Sequence, residues 1–362
     1  MSICCVGLVI HHGRPEALAA ADRVRAWCDA AGLTVTEVDV WTKDRRDAAE
    51  EAHRAGDPDL IVTIGGDGTF LRGVRVAATV GAAVMGVDLG RVGFLTDIAV
   101  EDIERALDAV LAGTALIEER LTLTMRASRP LSVPEGLEAL LRYGRGPALP
   151  PPALRPSSAD EVGWGVALDV TAMNDVVFEK LARDRQASLS LYVGQRLFAS
   201  YSADALVVAS PTGSTAYSFA AGGPVLSPRV EALVFTPVAP HMVFDRSLVV
   251  GADEVVAVRV LERSGRVAVS IDGQLRGVLE PGDWAAVYAG RKRARLVRLA
   301  PQDFFDRLRR RLGLTDATAA AADGEPPQFY RPDGPMPEDL SHLHLPLLGS
   351  SAPAGPKANQ LD

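Results

Sequence analysis

The sequence predicts an α/β N-terminal domain built on an open parallel sheet, followed by a β-rich C-terminal domain. Three observations predict it. Residues 3–112 alternate short apolar, β-branched runs with amphipathic stretches of helical period. The run Leu60-Ile61-Val62-Thr63-Ile64 has the composition of a strand covered on both faces, and it stops in a glycine turn ahead of a helix-forming stretch. From residue 116 the pattern changes to alternating β-branched and polar residues, the period of half-buried strands. The chain has 362 residues, 48% of them hydrophobic, enough to bury two cores.

The elements follow in order. Residues 3–10 read as the first strand, 14–31 as an amphipathic helix stopped by Gly32, and 33–40 as the second strand. After the strand at 60–64 come a helix to about residue 79, a strand at 83–87, the loop Asp88-Leu89-Gly90-Arg91-Val92-Gly93-Phe94-Leu95-Thr96-Asp97, and a helix at 100–112 ending at Gly113. This is the order of a Rossmann-like open parallel sheet, in which ligands bind outside the carboxyl ends of the strands. The N-terminal domain is therefore set at residues 1–115 and the β-rich domain at 116–294, with strands at 121–127, 165–177, 188–193, 248–250, 255–260 and 266–271. Residues 295–312 are expected to return as a helical segment that completes the first domain, its basic amphipathic helix read at 302–312, with Arg307, Arg309, Arg310 and Arg311 as a solvated basic face. Two segments stand apart: a proline-rich insertion at 128–160 around one helical piece at 135–141, and an Ala-, Pro- and Gly-rich tail at 313–362 expected to be disordered. His342 and His344 in that tail lack a third ligand, so no metal site is assigned.

Composition excludes several classes. A net charge of −8 supplies no broad positive field for nucleic acid or an anionic membrane, so phosphate affinity must come from a local site. Cys4, Cys5 and Cys28 are odd in number and lack metal-ligand spacing, which suits reduced thiols in the cytoplasm. No stretch of eighteen apolar residues suggests a membrane span.

The glycine turn Gly65-Gly66-Asp67-Gly68-Thr69 carries the chemistry. Glycines let the backbone approach a ligand, and free amides at the following helix start attract phosphate through hydrogen bonds and the helix dipole. A carboxylate among such amides repels phosphate unless it has another task, and Asp67 is read as a general base that takes a proton from an attacking hydroxyl. The alternative is an ordinary Asp-Gly turn. A second strand runs into Ser210-Pro211-Thr212-Gly213-Ser214-Thr215-Ala216-Tyr217, again rich in hydroxyls and glycine, and two such loops imply two ligands meeting.

With both loops in view the chain resembles the NAD kinases, in order from the first strand to about residue 312, excluding the insertion and the tail. Six separate marks carry the resemblance: the Gly65–Thr69 turn, the Leu89-Gly90-Arg91-Val92-Gly93-Phe94-Leu95-Thr96 loop, Met173-Asn174-Asp175-Val176-Val177, the loop from Ser210 to Tyr217, Pro240-His241, and Ile271-Asp272-Gly273-Gln274. The resemblance implies the NAD kinase-like two-domain fold and transfer of phosphate from ATP, or in some members polyphosphate, to the 2′-hydroxyl of the adenosine ribose of NAD. It implies Asp67 as catalytic base, with Gly65, Gly66, Gly68, Thr69 and Arg72 by phosphate. Asn174 and Asp175 would hold adenosine, Asp204 and Arg185 would approach the dinucleotide, and Thr215, Ala216, Tyr217, Ser218, Phe219 and Ala220 would wrap adenine and ribose. Gln274 would add a contact from a later strand, and His241 one at phosphate or metal near Asp67. Mg²⁺ would accompany ATP without a protein cage, and a homodimer or homotetramer would complete the NAD site.

Core packing remains an alternative for Tyr217, solvent exposure for Arg185 and a structural role for His241. The chain departs from the family at Asp88, where Asn is usual, at Ser202, where many relatives carry Arg, at Ala205, where Gly is usual, and at Asp175, where Glu is commoner. Two other readings stand beside this one: a lipid or sphingoid kinase sharing the glycine turn, and a non-catalytic NAD(P)-binding regulator.

Overall fold

The computed structural model describes residues 3–41, 48–90, 93–137, 149–157, 164–182 and 184–314. The helical piece expected at 135–141 lies mostly outside the described residues, as does the tail from 315 onward. Residues 1–311 form one compact unit.

The first sheet is seven-stranded. Its parallel part runs β2 (Thr34–Glu37), β1 (Cys5–Ile10), β3 (Leu60–Ile64) and β4 (Ala83–Asp88), with short β5 (Ile98–Ala99) paired to the end of β4. Helices α1 (Pro15–Ala31), α2 (Ala48–Arg54), α3 (Asp67–Val80) and α4 (Ile103–Leu111) connect these strands. All five residues of β3 are buried, as its β-branched composition predicts for a strand covered on both faces. One side packs with Leu8, Val62, Met85 and helices α1 and α4, and the other packs Ile61 and Val84 with Phe70, Val74 and Ala77 of α3.

The return of the chain differs from the sequence expectation. Residues 295–312 do not form one helix: β19 (Ala294–Arg298) enters the first sheet between β4, to which it is parallel, and β6 (Leu116–Arg120), to which it is antiparallel. A helix follows at Phe304–Leu312. The apolar residues Leu296 and Val297 are fully buried, and a strand extends the existing sheet where a helix could not pair with it. Segment 116–120, placed with the β-rich region from sequence, likewise pairs with the first sheet. The expected strand at 165–177 is two strands, β8 (Val166–Ala172) and β9 (Asp175–Lys180), which belong to different sheets.

The β-rich region is two six-stranded antiparallel sheets packed face to face. One runs β11 (Arg196–Ala203), β10 (Ala187–Val193), β15 (Val256–Val260), β18 (Trp284–Ala289), β7 (Leu123–Ala127), β8. The other runs β14 (Leu248–Gly251), β13 (Ala232–Val238), β12 (Ala205–Ala209), β9, β16 (Val267–Ile271), β17 (Gln274–Leu279). Alternate residues of each strand fill the space between them, Met125, Leu189, Val258 and Val287 from the first sheet meeting Phe178, Leu206, Phe235 and Val269 from the second.

Candidate active site

The site assembles where α3 begins. Gly65 follows β3 and donates its amide to Val87 at 3.2 Å, Gly66 caps the helix, and Asp67 opens its first turn, so the amides of Asp67 and Gly68 point out of a helix N-terminus. Gly66 and Gly68 are exposed, Asp67 is half-buried, and Thr69 is buried over Gly65.

The Asp67 carboxylate is held by the loop after β4. Oδ2 accepts the Phe94 amide at 2.9 Å, and Oδ1 accepts those of Leu95 at 3.1 Å and Thr96 at 3.5 Å. A carboxylate has roughly four acceptor positions, so three amides fix its orientation and leave capacity for one more donor. Gly93 is required for this approach, because a Cβ there would stand 2.3 Å from Asp67 Oδ1.

A buried ion network backs the loop. Arg298, 2% exposed, donates to Asp97 at 2.6 Å, to the Leu95 carbonyl at 2.9 Å and to Glu118 at 2.8 Å. Arg307 donates to the Phe94 carbonyl at 3.0 Å and lies 3.8 Å from Asp97. Arg307 is thus not part of the solvated face expected of the C-terminal helix; its neighbours Arg309 and Arg310 are exposed. Arg120 pairs with Glu118 at 2.7 Å and reaches Thr212 at 3.3 Å, which ties the network to the second loop. Burial raises the Asp97 pKa despite Arg298 and Arg307, whereas for Glu118 the charges of Arg120 and Arg298 overcome burial and hold its carboxyl below the ordinary value.

Across from α3, the turn between β16 and β17 repeats the device. Asp272 and Gly273 have φ of 47° and 74°, the left-handed pair of a tight hairpin turn. The Asp272 carboxylate accepts the amides of Met173 at 3.0 Å, Asn174 at 2.7 Å and Asp175 at 3.2 Å. Burial raises its pKa, more than these amides and Arg75 lower it. Gln274, next in the chain, accepts from Arg75 of α3 at 2.7 Å. Burial and the nearby Arg276 and Arg72 charges press the Arg75 pKa down, a sign of crowded guanidinium groups.

The second loop packs on the same segment. The Ser210 amide donates to the Asn174 carbonyl at 2.8 Å and Gly213 donates to the Ser210 hydroxyl at 3.1 Å. A Cβ at Gly213 would meet that Asn174 carbonyl oxygen at 2.0 Å, so only glycine lets the two backbones touch. Thr215 bonds back to Thr212, and the helical turn Tyr217–Ala220 leaves Tyr217 and Phe219 exposed while Ser218 is buried against Thr236. Met173 packs with Phe70 and Leu95, which places Asn174 and Asp175 beside the Asp67 loop.

The expected residues therefore fall into two groups. Asp67, the glycines and Thr69 sit at the α3 N-terminus; Asn174 and Asp175 join it through Met173, the loop leading to residues 215–220 packs on Asn174, and Gln274 bonds Arg75 of α3. Arg72 of α3 is buried, with its guanidinium 4.4 Å over Trp41 and a bond to the Val40 carbonyl. Asp204, Arg185 and His241 lie at the other end of the second sheet. Strand β12 pairs Ala209 with Asp175 at one end and Ala205 with Glu179 at the other, a length of roughly 14 Å. There Asp204 pairs with Lys180 at 2.6 Å, Arg185 is exposed beside Asp184, and the amide of exposed His241 bonds Ser202. Sequence reading did not single out Arg75, Asp97, Glu118, Arg298 and Arg307 as parts of the site, and it used Asp272 only as a mark of the family. Among the described residues no group of three or more His, Cys, Asp or Glu side chains gathers as a metal site.

Comparison with known proteins identifies the family. The family model of the ATP-NAD kinase N-terminal domain matches residues 6–115, and that of the ATP-NAD kinase C-terminal domain matches residues 173–299. NAD kinase 1 of Streptomyces coelicolor is 60% identical over 356 residues, 98% of each chain, and NAD kinase 1 of Streptomyces avermitilis is 60% identical over 96% of this chain and 97% of its own. The NAD kinase of Symbiobacterium thermophilum is 37% identical over 85% of this chain and 98% of its own. The fold is similar to that of yeast NADH kinase complexed with NADH, at TM-score 0.66 and 19% identity over 87% of this chain and 89% of the other. It also resembles an NAD kinase from Archaeoglobus fulgidus in complex with ATP, at TM-score 0.57 and 20% identity over 85% and 96%. These relatives lend nothing to a lipid kinase or a non-catalytic regulator. Matched by both domain models and by relatives 60% identical over nearly its whole length, the chain belongs to the NAD kinase family, enzymes that phosphorylate NAD.

Proposed function

We propose that the chain transfers the γ-phosphoryl group of ATP to the 2′-hydroxyl of the adenosine ribose of NAD, giving NADP and ADP. The observation that carries this reading is the Asp67 carboxylate, oriented by three amides at the start of α3 with Asn174 and the Ser210 loop alongside. The ribose hydroxyl donates to the free acceptor position of Asp67. As its oxygen bonds the γ-phosphorus, the bridging oxygen leaves with ADP and the proton passes to Asp67. The amides of the α3 N-terminus stabilise phosphate charge. Asn174 and Asp175 hold adenosine, Tyr217 offers a stacking face, and Gln274 and the 215–220 segment close around the base.

The Asp67 oxygens are already engaged by amides, and the described residues assemble no carboxylate cage. A Mg²⁺ ion would accompany the nucleotide phosphates and water and neutralise phosphate charge there. Polyphosphate is the alternative donor.

We further read the molecule as a homodimer or homotetramer. Asp204, Arg185 and His241 cannot reach the Asn174 end of their own sheet, and exposed Leu197, Phe198, Val243 and Phe244 form an apolar patch on the loop that carries His241 and on neighbouring β11. A neighbouring copy would bring that end to this one's NAD. Its place is the cytoplasm, in keeping with three free cysteines; no described helix is long and apolar enough to cross a membrane.

NADP formation from NAD, Mg²⁺ and either ATP or polyphosphate tests the reaction. Turnover by the parent with at least about a hundredfold loss in a folded Asp67→Asn variant is expected. No turnover by a folded parent that binds NAD rejects the activity. Sedimentation of Val243→Asp tests the assembly, with dissociation to monomer and a raised KM for NAD expected.

A further inference from the structure

A large cavity lies away from Asp67. It opens on the outer face of the sheet containing β18, has a volume of about 1480 Å³, and is lined by none of the candidate active-site residues. Its Lys292 donates to the Ala78 carbonyl of α3, eleven residues along the helix from Asp67 and so roughly 16 Å away.

Strand register explains its shape. On the outward side, Ala286 of β18 lies opposite Ala257 of β15, and two alanines make a low floor. Trp284 and Tyr288 stand on either side of Ala286 along β18, about 7 Å away each way, and form aromatic walls. Arg259 pairs across from Trp284, Arg126 lies across from Ala286 on the other flank, and Tyr192 lies beyond Ala257. Arg155, from the proline-rich segment, donates to the Tyr288 hydroxyl at 3.1 Å and gives the cavity an outer rim.

Charge selects the occupant. Arg126, Arg155, Arg259, Arg291 and Lys292 line the space against Asp169 and Asp253, a local positive excess in a chain whose net charge is −8. Arg259 is half-exposed, and its Glu262 partner is 3.9 Å away, long enough for a phosphate to compete. Aromatic walls over a flat apolar floor accept a planar ring, and the guanidinium rim accepts the anion attached to it.

We propose that this cavity is a second nucleotide site, taking a nucleoside phosphate with its base over Ala257 and Ala286 and its phosphate at Arg259. The experiment counts ADP bound per chain by equilibrium dialysis on the full-length protein, for the parent, Arg259→Glu at an exposed position, and Ala286→Trp, which fills the floor. Both variants are expected to bind one ADP fewer than the parent and to keep NADP-forming turnover within about twofold at saturating substrates. One ADP in the parent and none in the folded variants supports the inference even if the reading of the Asp67 site fails. Equal ADP counts in parent and folded Arg259→Glu overturn it. Equal counts together with a changed sedimentation coefficient for Arg259→Glu also overturn it, and identify the face as an interface between copies.

Discussion

Two carboxylates in this molecule do the same thing to the backbone and serve different ends. Asp67 gathers the amides of Phe94, Leu95 and Thr96, and Asp272 gathers those of Met173, Asn174 and Asp175. Asp67 sits half-buried at a helix N-terminus, where incoming groups can reach it. Asp272 sits in a tight hairpin turn with its carboxylate turned inward, and its own amide returns a bond to the Asp175 carbonyl at 3.0 Å. Under the proposed reaction, three amides orient the base in one case and fix the adenosine-holding segment in the other. What separates the roles is access, since the hydrogen bonds are alike.

The largest expected effect breaks the pair by rate. Asp67→Asn should lower kcat by about 10²–10⁴ through loss of the base, while the unfolding free energy from urea titration changes by less than about 1 kcal/mol because water can reach the released amides. Asp272→Ala should do the reverse. It strands three inward amides and a crowded Arg75, so we expect roughly 3 kcal/mol of lost stability in urea unfolding, with kcat falling far less than in Asp67→Asn. Equal rate losses in both variants would mean that Asp272 acts in the chemistry and the contrast is wrong.

Sequence made one member of this pair plain and hid the other's purpose. Asp67 stands out because a carboxylate inside a glycine-rich turn is costly without a task. Asp272-Gly273 reads as a hairpin turn, and nothing local says that its side chain reaches 97 to 99 positions back along the chain. Strands β3 and β4 were legible from unbroken apolar runs, and α3 from its glycine cap. Strand β19 was not, since Ala294-Arg295-Leu296-Val297-Arg298 carries two arginines and precedes a helix. Arg298 is buried only because Asp97 and Glu118 come to meet it. Arg307 was read as surface for the same reason: its partners, the Phe94 carbonyl and Asp97, are more than two hundred residues away. Side chains whose role depends on distant partners carry no local signal.

Arg307 sharpens the comparison from behind the loop. Asp67 depends on a segment that is itself held by Arg307 of the C-terminal helix. Arg307→Met removes the bond to the Phe94 carbonyl while keeping an apolar stem, and should cost about 1 kcal/mol of stability. We expect kcat to fall a few-fold with KM for NAD nearly unchanged, because the base is misplaced and adenosine recognition is not. A change in KM alone would detach Arg307 from Asp67.

The smallest effect is a pH slope, and it belongs to Asp272. Its pKa is raised from 3.8, with burial outweighing the three amides and Arg75. A carboxyl raised on folding binds its proton more tightly in the native state, so its contribution is fully present below the unfolded value of 3.8 and is lost as pH rises through the folded value. Asp272→Asn cannot titrate. The stability difference, parent minus Asp272→Asn, should therefore decline as pH rises above 3.8 and flatten once Asp272 is ionised in both states, as read by urea unfolding at a series of pH values. A difference that grows over that window would mean the three amides and Arg75 dominate, and that Asp272 is held as an anion against the pull of burial.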